Sequence, residues 1–390
     1  MRSPLRIAMI GQKGIPARFG GVETHVDNIA TRLAARGHEI WTYCRSRFRP
    51  DRLGMEPPED YRTIGGEHWY RGVRLVYRPS INTKHLDAAT HTFSCAFEAG
   101  VAHKFDIVHF HGIGPAAFAP LTRLLGGTVV STFHALDWRQ VKWGRTASRF
   151  LKGGEARGAR ASHGIITVSR ILQQYVRETY GVEAEYIPNG ATLPAGPPRT
   201  GEITRWGLSG GDYVLAVGRI IRDRGLHRLI EAFRGVPKDA RLVIVGAESP
   251  RTAYTDELHA MADERVIFTG EVFGQALEDL YTNCAAYVLA STVEGLPITV
   301  CEAMAHGRPM VLSGIPENRE VAGDAGLYFN PHDINEMQTQ LKVLLDDREL
   351  QSTLSARGLE RARETFNWDQ VAERVEAYYL RVLGRDPTAG

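Results

Sequence analysis

The stretch Ala286-Tyr-Val-Leu-Ala-Ser-Thr-Val-Glu-Gly-Leu-Pro-Ile-Thr-Val-Cys-Glu302, continuing "AMAHGRPMVL" to Leu312, decides how the chain is read. A β-rich run at 286–290 gives way to a loop at 291–297, a helix-forming segment at 298–306 and a second β-rich run at 309–312. Pro297 suits a first helical turn and Gly307 a helix stop. Strand, loop, helix, strand is the repeating unit of a parallel sheet. It places Glu294 just ahead of a helix N-terminus. There the N–H groups of Ile298, Thr299 and Val300 lack intrahelical partners and, with the helix dipole, suit an anion such as phosphate. A carboxylate beside an anion site is useful for something uncharged, and sugar hydroxyls fit: a hexose at Glu294 and a ribose at Glu302, two turns along. Taken alone, the loop reads rather as an acid that stabilises a helix end by about 0.3–1 kcal/mol, with Glu302 a solvated helix residue.

A second stretch supplies positive charge. After a β-rich run ending at Val217 comes Gly218-Arg-Ile-Ile-Arg-Asp-Arg-Gly225, then a helix over 226–233. Arg219 and Arg224 leave the same strand end and are placed to converge on a diphosphate. A departing nucleoside diphosphate needs fixed positive charge as its bond to sugar breaks, and preorganised donors of this kind are worth about 2.7–4 kcal/mol each.

Around these stretches, β-rich runs alternate with helix-length segments. One series starts at 6–10, 39–43, 73–77, 107–111, 128–132 and 164–168; a second starts at 213–217, 241–245, 266–268, 286–290 and 309–312. Between them "PNGATLPAGPP" (188–198) is dense in Pro and Gly and has no apolar period, as a linker does. The pattern predicts an α/β chain of two doubly wound domains: 1–190, a linker at 191–198, 199–365, and a C-terminal helix and tail at 366–390. Ligands are expected outside the carboxyl ends of the strands, facing one another across a cleft. "FNWDQVAERVEAYYLRVL" (366–383) has apolar residues near helical spacing and is expected to cross back to the first domain.

The first loop, "MIGQKGIPARFGGVETHV", has Gly20 and Gly21 opening a helix, so its backbone can approach a phosphate or an acceptor closely. A dinucleotide-binding fold would show G-x-G-x-x-G here and an acid at the end of the next strand. The glycines are instead Gly11, Gly14, Gly20 and Gly21, and the next strand ends Tyr43-Cys44-Arg45. This argues against a dehydrogenase. His134, in "STFHALDW", falls just past a strand end, with Asp137 close behind as an orienting or acceptor-side residue. His109 and His111 alternate on one sheet face; without a third ligand nearby in sequence they read as packing rather than metal ligands.

Composition bounds the rest. The 390 residues, 43% hydrophobic, are enough for two cores. The net charge of +2 hides a division: residues 1–190 carry 26 Lys and Arg against 16 Asp and Glu, and residues 191–390 carry 21 against 29. Cys44, Cys95, Cys284 and Cys301 show no paired spacing, which predicts a reducing compartment. No apolar run reaches the roughly 18 residues of a membrane span, so a cytoplasmic chain is expected. From Trp138 to Arg160, "WRQVKWGRTASRFLKGGEARGAR" interleaves seven Lys or Arg with two Trp. That mixture suits the surface of an anionic membrane on its inner face, or equally a solvated face with the Trp side chains turned inward or an acceptor-binding loop.

The motifs "EGLPITVCEAM", an E-x7-E, together with "VGRIIRDRG", "YIPNG", "FTGEV" and "GGVETHV", resemble the retaining glycosyltransferases of family 4, which have the GT-B fold. The resemblance covers nearly the whole chain. It implies contacts of Glu294 with the donor sugar and of Glu302 with the ribose, and phosphate contacts for Arg219 and Arg224, where Arg224 replaces the family's Lys by a planar fork. It implies that His134 touches the sugar, and that Gly20, Gly21 and Gly218 lie with Ile298 and Thr299 against the donor. "GQKGIPARFGGVETHVDNIATRL", "LDWRQVKWG" and "NREVAGDAGLYF" look more narrowly like rhamnosyltransferases of bacterial capsule and exopolysaccharide clusters, with deoxythymidine diphosphate rhamnose one candidate donor.

The expected activity is therefore transfer of a hexosyl or deoxyhexosyl group from a nucleotide diphosphate sugar to a glycan or lipid-linked acceptor, with retention. No cofactor is expected, no metal since no Asp-x-Asp occurs, and no nucleic acid. The rivals are a nucleotide-sugar epimerase on a related fold and a non-catalytic polyanion-binding protein.

Overall fold

The structure, a computed structural model, describes residues 3–18, 20–83, 86–136, 145–196, 199–237, 239–247 and 251–386, with 145–151 described as backbone. Its contacts divide the chain into two compact units, residues 1–188 with 368–390, and residues 189–367.

In the first unit, continuous Val- and Ile-rich runs form strands buried on both faces, as parallel sheets require. In chain order come β1 (Arg6–Ile10), α1 (Gly21–Ala35), β2 (Glu39–Arg45), β3 (Tyr61–Ile64), β4 (Glu67–Tyr70), β5 (Val73–Arg78), α2 (Leu86–Val101) and β6 (Ile107–His111). They are followed by α3 (Ile113–Ala116), α4 (Ala119–Leu124), β7 (Val129–Phe133), α5 (Arg145–Ala161), β8 (Gly164–Thr167), α6 (Arg170–Tyr180) and β9 (Glu185–Tyr186). The sheet order is β3-β4-β5-β2-β1-β6-β7-β8-β9. All pairings are parallel except β3–β4 and β4–β5, which form an antiparallel edge turning at Gly65-Gly66.

The second unit follows the same logic with β10 (Tyr213–Val217), α7 (Leu226–Phe233), β11 (Arg241–Val245), α8 (Ala253–Met261), β12 (Val266–Gly270), α9 (Gln275–Asn283), β13 (Ala286–Leu289) and α10 (Ile298–Ala305). Then come β14 (Met310–Ser313), α11 (Pro316–Ala322), β15 (Gly326–Phe329), α12 (Ile334–Asp346) and α13 (Arg348–Glu364). The order β12-β11-β10-β13-β14-β15 is wholly parallel and reverses direction between β10 and β13, which is where doubly wound sheets bind ligands. Val214, Ile244, Val288 and Val311 from four adjacent strands meet Leu229, Phe233, Met337 and Leu341 from the helices in one core.

The last helix, α14 (Trp368–Val382), returns to the first unit. It lies along α1, where Arg32 bonds Asp369 at 2.7 Å and Arg36 pairs with Glu373 at 3.2 Å and with Glu376. Its buried Tyr379 reaches His109 at the sheet, 2.6 Å from Nδ1. The expected crossing of the tail is thus explained by one polar and one apolar stripe. The four cysteines are buried and free, and among the described residues no helix is long and apolar enough to cross a membrane.

Candidate active site

In the second unit the two sequence motifs meet at the reversal point of the sheet. The turn after β10, Gly218 to Gly225, docks on the loop after β13: Thr292 N–H donates to the Asp223 carbonyl at 2.9 Å. Gly225 holds φ +66° against the Ala290 carbonyl, where a Cβ would overlap it, so only glycine lets the two loops close. Arg224 then reaches across to Glu294, forming an ion pair, and to Ser291 Oγ at 3.3 Å. The Glu294 side chain is only 7% exposed and that of Arg224 21%. Burial of this degree makes the pair a held geometry rather than a solvated surface contact, since either charge left alone would be costly. Arg219 is exposed at the rim, one residue past Gly218. A cavity of about 10 Å³ lies under both loops, lined among others by Gly218, Arg219, Arg224 and Ala290.

The loop carrying Glu294 is pinned from beneath. Ser313 Oγ donates to the Ser291 carbonyl at 2.6 Å, and Asn189 Nδ2 donates to that of Leu296 at 2.9 Å. Helix α10 starts after Pro297, which offers no side-chain cap. The expectation of three open N–H groups there needs correction. Val300 N–H donates to the Pro297 carbonyl at 3.1 Å, because the first turn tightens into an i to i+3 bond. Ile298 and Thr299 keep N–H groups with no backbone acceptor among the described residues. The Thr299 hydroxyl accepts from the buried Tyr287 hydroxyl at 2.7 Å.

Glu302 sits one turn further, half-buried, and accepts a hydrogen bond from the Tyr281 hydroxyl at 2.8 Å. Burial raises its carboxyl to about 7, with the Tyr281 bond opposing the rise. Tyr281 is stacked on His306, centroids 5.4 Å apart, and Thr282 Oγ1 lies 2.8 Å from His306 Nδ1. Burial, and next Arg308, lower His306 to about 4, so it is neutral at pH 7. Tyr281 and Asn189 went unread in the sequence. Asn189 stands inside the "YIPNG" motif, whereas Tyr281, 21 residues before Glu302, gives no local sign.

In the first unit, Gly20 caps α1 with φ 146° and Gly21 is its first residue. The turn before it is tied down by Glu23, which accepts from Lys13 N–H at 2.9 Å, and by Asp27, which accepts from Ala17 N–H at 2.7 Å. His134 follows β7 by one residue. Its ring lies 4.6 Å from that of His25 and 5.7 Å from that of His111. The two strand histidines differ. His109 is satisfied by Tyr379 and, at 2.7 Å, by Thr132 Oγ1, as packing would have it. Both nitrogens of His111 and Nε2 of His134 are buried without partners among the described residues. Burial first, and then the neighbouring histidines, push the pKa of each far down, leaving neutral imidazoles.

One nitrogen from each of His25, His111 and His134 lies within 4.8 Å of the others, near enough to share a single cation. No carboxylate or thiolate joins them in that group. Neutral imidazoles of this kind equally exchange hydrogen bonds with hydroxyls. Asp137 and the segment 138–144 lie outside the described residues.

Two Rossmann-like α/β units with polar groups gathered at strand carboxyl ends are the architecture of the GT-B glycosyltransferases. Sucrose-phosphate synthase from Thermosynechococcus elongatus shares it, with TM-score 0.82, 21% identity, and 98% of this chain and 100% of that one covered. So does Anabaena HepE in complex with UDP-glucose, with TM-score 0.75, 17% identity, and 96% and 99% covered. In sequence, residues 19–193 match the family described as Glycosyltransferase Family 4, and residues 211–347 that described as Glycosyl transferases group 1. A D-inositol 3-phosphate glycosyltransferase of Xylanimonas cellulosilytica is 27% identical, with 94% of this chain and 93% of that one covered. The chain is a glycosyltransferase of the family 4 type.

Proposed function

We propose that the chain transfers a hexosyl or deoxyhexosyl group from a nucleotide diphosphate sugar to a glycan or lipid-linked acceptor, with retention at the anomeric carbon. The observation that carries this reading is the meeting of Arg219, Arg224, Glu294, the start of α10 and Glu302 at the reversal point of the second sheet. The UDP-glucose held by HepE supports a nucleotide sugar as donor.

In this reading Arg219, the Gly218 turn and the N–H groups of Ile298 and Thr299 take the diphosphate, and Glu302 accepts from the ribose. Arg224 bridges phosphate and Glu294, which orients the sugar. His134 donates to a sugar hydroxyl as a neutral imidazole, Gly20 and Gly21 lie along the diphosphate, and Asp137 serves the acceptor. The acceptor oxygen bonds to the anomeric carbon as the carbon–oxygen bond to the diphosphate breaks. The hydroxyl proton passes to the departing phosphate oxygen on the same face, and the arginines stabilise the charge left there. No metal ion and no cofactor enter the step. A dTDP-deoxyhexose is the donor favoured by the resemblance to rhamnosyltransferases.

The test supplies UDP-, GDP- and dTDP-sugars with and without glycan or lipid-linked acceptors and follows nucleoside diphosphate release, with the product's anomeric configuration read by NMR. Acceptor-dependent release with retention is expected. Turnover of the donor sugar to its epimer without acceptor, or an inverted product, would overturn the reading.

A further inference from the structure

Helix α2 presents an unusual face. Its exposed positions are Leu86, Ala88, Phe93, Phe97 and Val101, all apolar. Phe93, Phe97 and Val101 recur every four residues, so they form one stripe, and their exposures are 54%, 50% and 59%. The neighbouring helix α4 adds Leu124, which is 85% exposed. The two helices are locked together: the Phe93 and Phe118 rings lie 6.2 Å apart, and Thr122 Oγ1 donates to the Ala96 carbonyl at 3.5 Å. On the other side of α4 lies α5, which Arg123 reaches with a 3.2 Å bond to the Ala161 carbonyl. Exposed positions of α5 with described side chains are Lys152, Arg157 and Arg160, all cationic.

The carboxylates of these helices are turned away from solvent. Asp87 is buried with Arg45 and Arg47, Glu155 is fully buried, and Glu98 is held by Arg78. Among the described residues, α2, α4 and α5 therefore expose apolar and cationic groups and no carboxylate.

A contiguous apolar patch on one side of a protein marks an interaction surface, and the charge beside it selects the partner. A second copy of the chain would bring the same cations into one another's neighbourhood. A nucleic acid would use the cations and gain nothing from Phe97 or Val101. An anionic bilayer uses both, taking aromatic and aliphatic side chains at the acyl boundary and cations among the headgroups.

We propose that α2, α4 and α5 form a docking face for an anionic lipid surface, with Phe93, Phe97, Val101 and Leu124 entering the interface and Arg123, Lys152, Arg157 and Arg160 lying at headgroup level. The assignment goes beyond the transfer reaction and stands without it.

The experiment is sedimentation of the full chain with vesicles of phosphatidylglycerol and phosphatidylcholine in equal parts, and with phosphatidylcholine alone. Binding to the anionic vesicles is expected, weakening with salt. Lys152→Gln, Arg157→Gln and Arg160→Gln together should lower partitioning by about a hundredfold, since each cation near the surface is worth about fivefold. Phe93→Gln with Phe97→Gln should lower it about tenfold or more. Unfolding temperature checks that each variant folds, and Leu124→Gln, at the most exposed site, serves if the double variant does not. Absence of wild-type binding, equal binding to neutral vesicles, or binding indifferent to both sets would overturn the proposal. So would a wild-type dimer, seen by light scattering, that Phe93→Gln and Phe97→Gln dissociate while vesicle binding is unchanged.

Discussion

The carboxyl ends of β10 and β13, which flank the reversal of the second sheet, and those of β6 and β7, beside and one strand past the reversal of the first, are built from opposite electrostatics. Beyond β10 and β13 the groups are ionisable and answered: Arg224 by Glu294 and Ser291, Glu302 by Tyr281. At the ends of β6 and β7 they are neutral and unanswered: His111 and His134 are stripped of charge by burial and left with bare nitrogens. The first arrangement suits a ligand that brings negative charge, because preorganised donors need no reorganisation as that charge grows. The second suits hydroxyls, which exchange hydrogen bonds with an imidazole and would gain little from an ion. One fold, used twice, thus gathers ionisable groups at the strand ends of one sheet and neutral imidazoles at those of the other.

The largest break in this contrast should come from removing charge beyond β10. Arg224→Ala is expected to lower kcat/KM for transfer by about 10²–10³, and Glu294→Ala by a similar factor. Arg224→Lys, which keeps the charge and loses the fork, should retain more activity than Arg224→Ala. Initial rates of nucleoside diphosphate release check all three.

Next comes pH. Glu302, raised to about 7 by burial, is the stronger acceptor for a ribose hydroxyl when ionised. Nucleotide affinity should therefore rise, by up to about tenfold, from pH 6 to pH 8 and become flat in Glu302→Gln. Stability runs the other way. A carboxyl raised on folding holds its proton more tightly in the folded state, so its contribution is full below its ordinary range and is lost as pH rises towards 7. Wild type should lose more stability than Glu302→Gln between pH 5 and pH 8, as urea titrations would report.

Tyr281→Phe sharpens the same point. It removes the hydrogen bond that opposes the rise, so the pH dependence of nucleotide binding should move upward. The donor KM should increase about three- to tenfold, the worth of one hydrogen bond, while kcat is little changed.

The smallest effects belong to the two histidines of β6, His109 and His111. His109→Leu leaves Tyr379 and Thr132 without their shared partner and should cost about 1–3 kcal/mol. His111→Leu removes a ring whose nitrogens bond nothing among the described residues and should cost less than about 1 kcal/mol. Urea midpoints of the two variants measure the difference.

Much of this was legible in the sequence. Buried parallel strands are uninterrupted Val- and Ile-rich runs, so both sheets announced themselves, as did the E-x7-E segment and the Arg-rich turn that meets it. The antiparallel edge β3–β4 went unread although "TIGGEH" carries a hairpin turn of two glycines. That edge is short and largely exposed, so its apolar pattern is weak. His25 stood inside the quoted "GGVETHV" and passed as a helix residue. Only the packing of α1 against the strand ends brings it to His111 and His134. Tyr281 was beyond reach for a simpler reason: it arrives on a neighbouring helix, and no spacing rule links it to Glu302. The open N–H count at α10 failed because a tightened first turn depends on backbone angles that composition does not reveal.

The central claim is that the charged end of β10 holds a nucleoside diphosphate. Its most direct test is thermal unfolding of wild type and Arg219→Ala with UDP, GDP and dTDP, each in turn. At a hundred times its dissociation constant a ligand adds about 2.7 kcal/mol, enough to raise the midpoint by several degrees. One nucleoside diphosphate should raise the wild-type midpoint and fail to raise that of Arg219→Ala. No rise with any of the three, or the same rise in both proteins, would contradict the account.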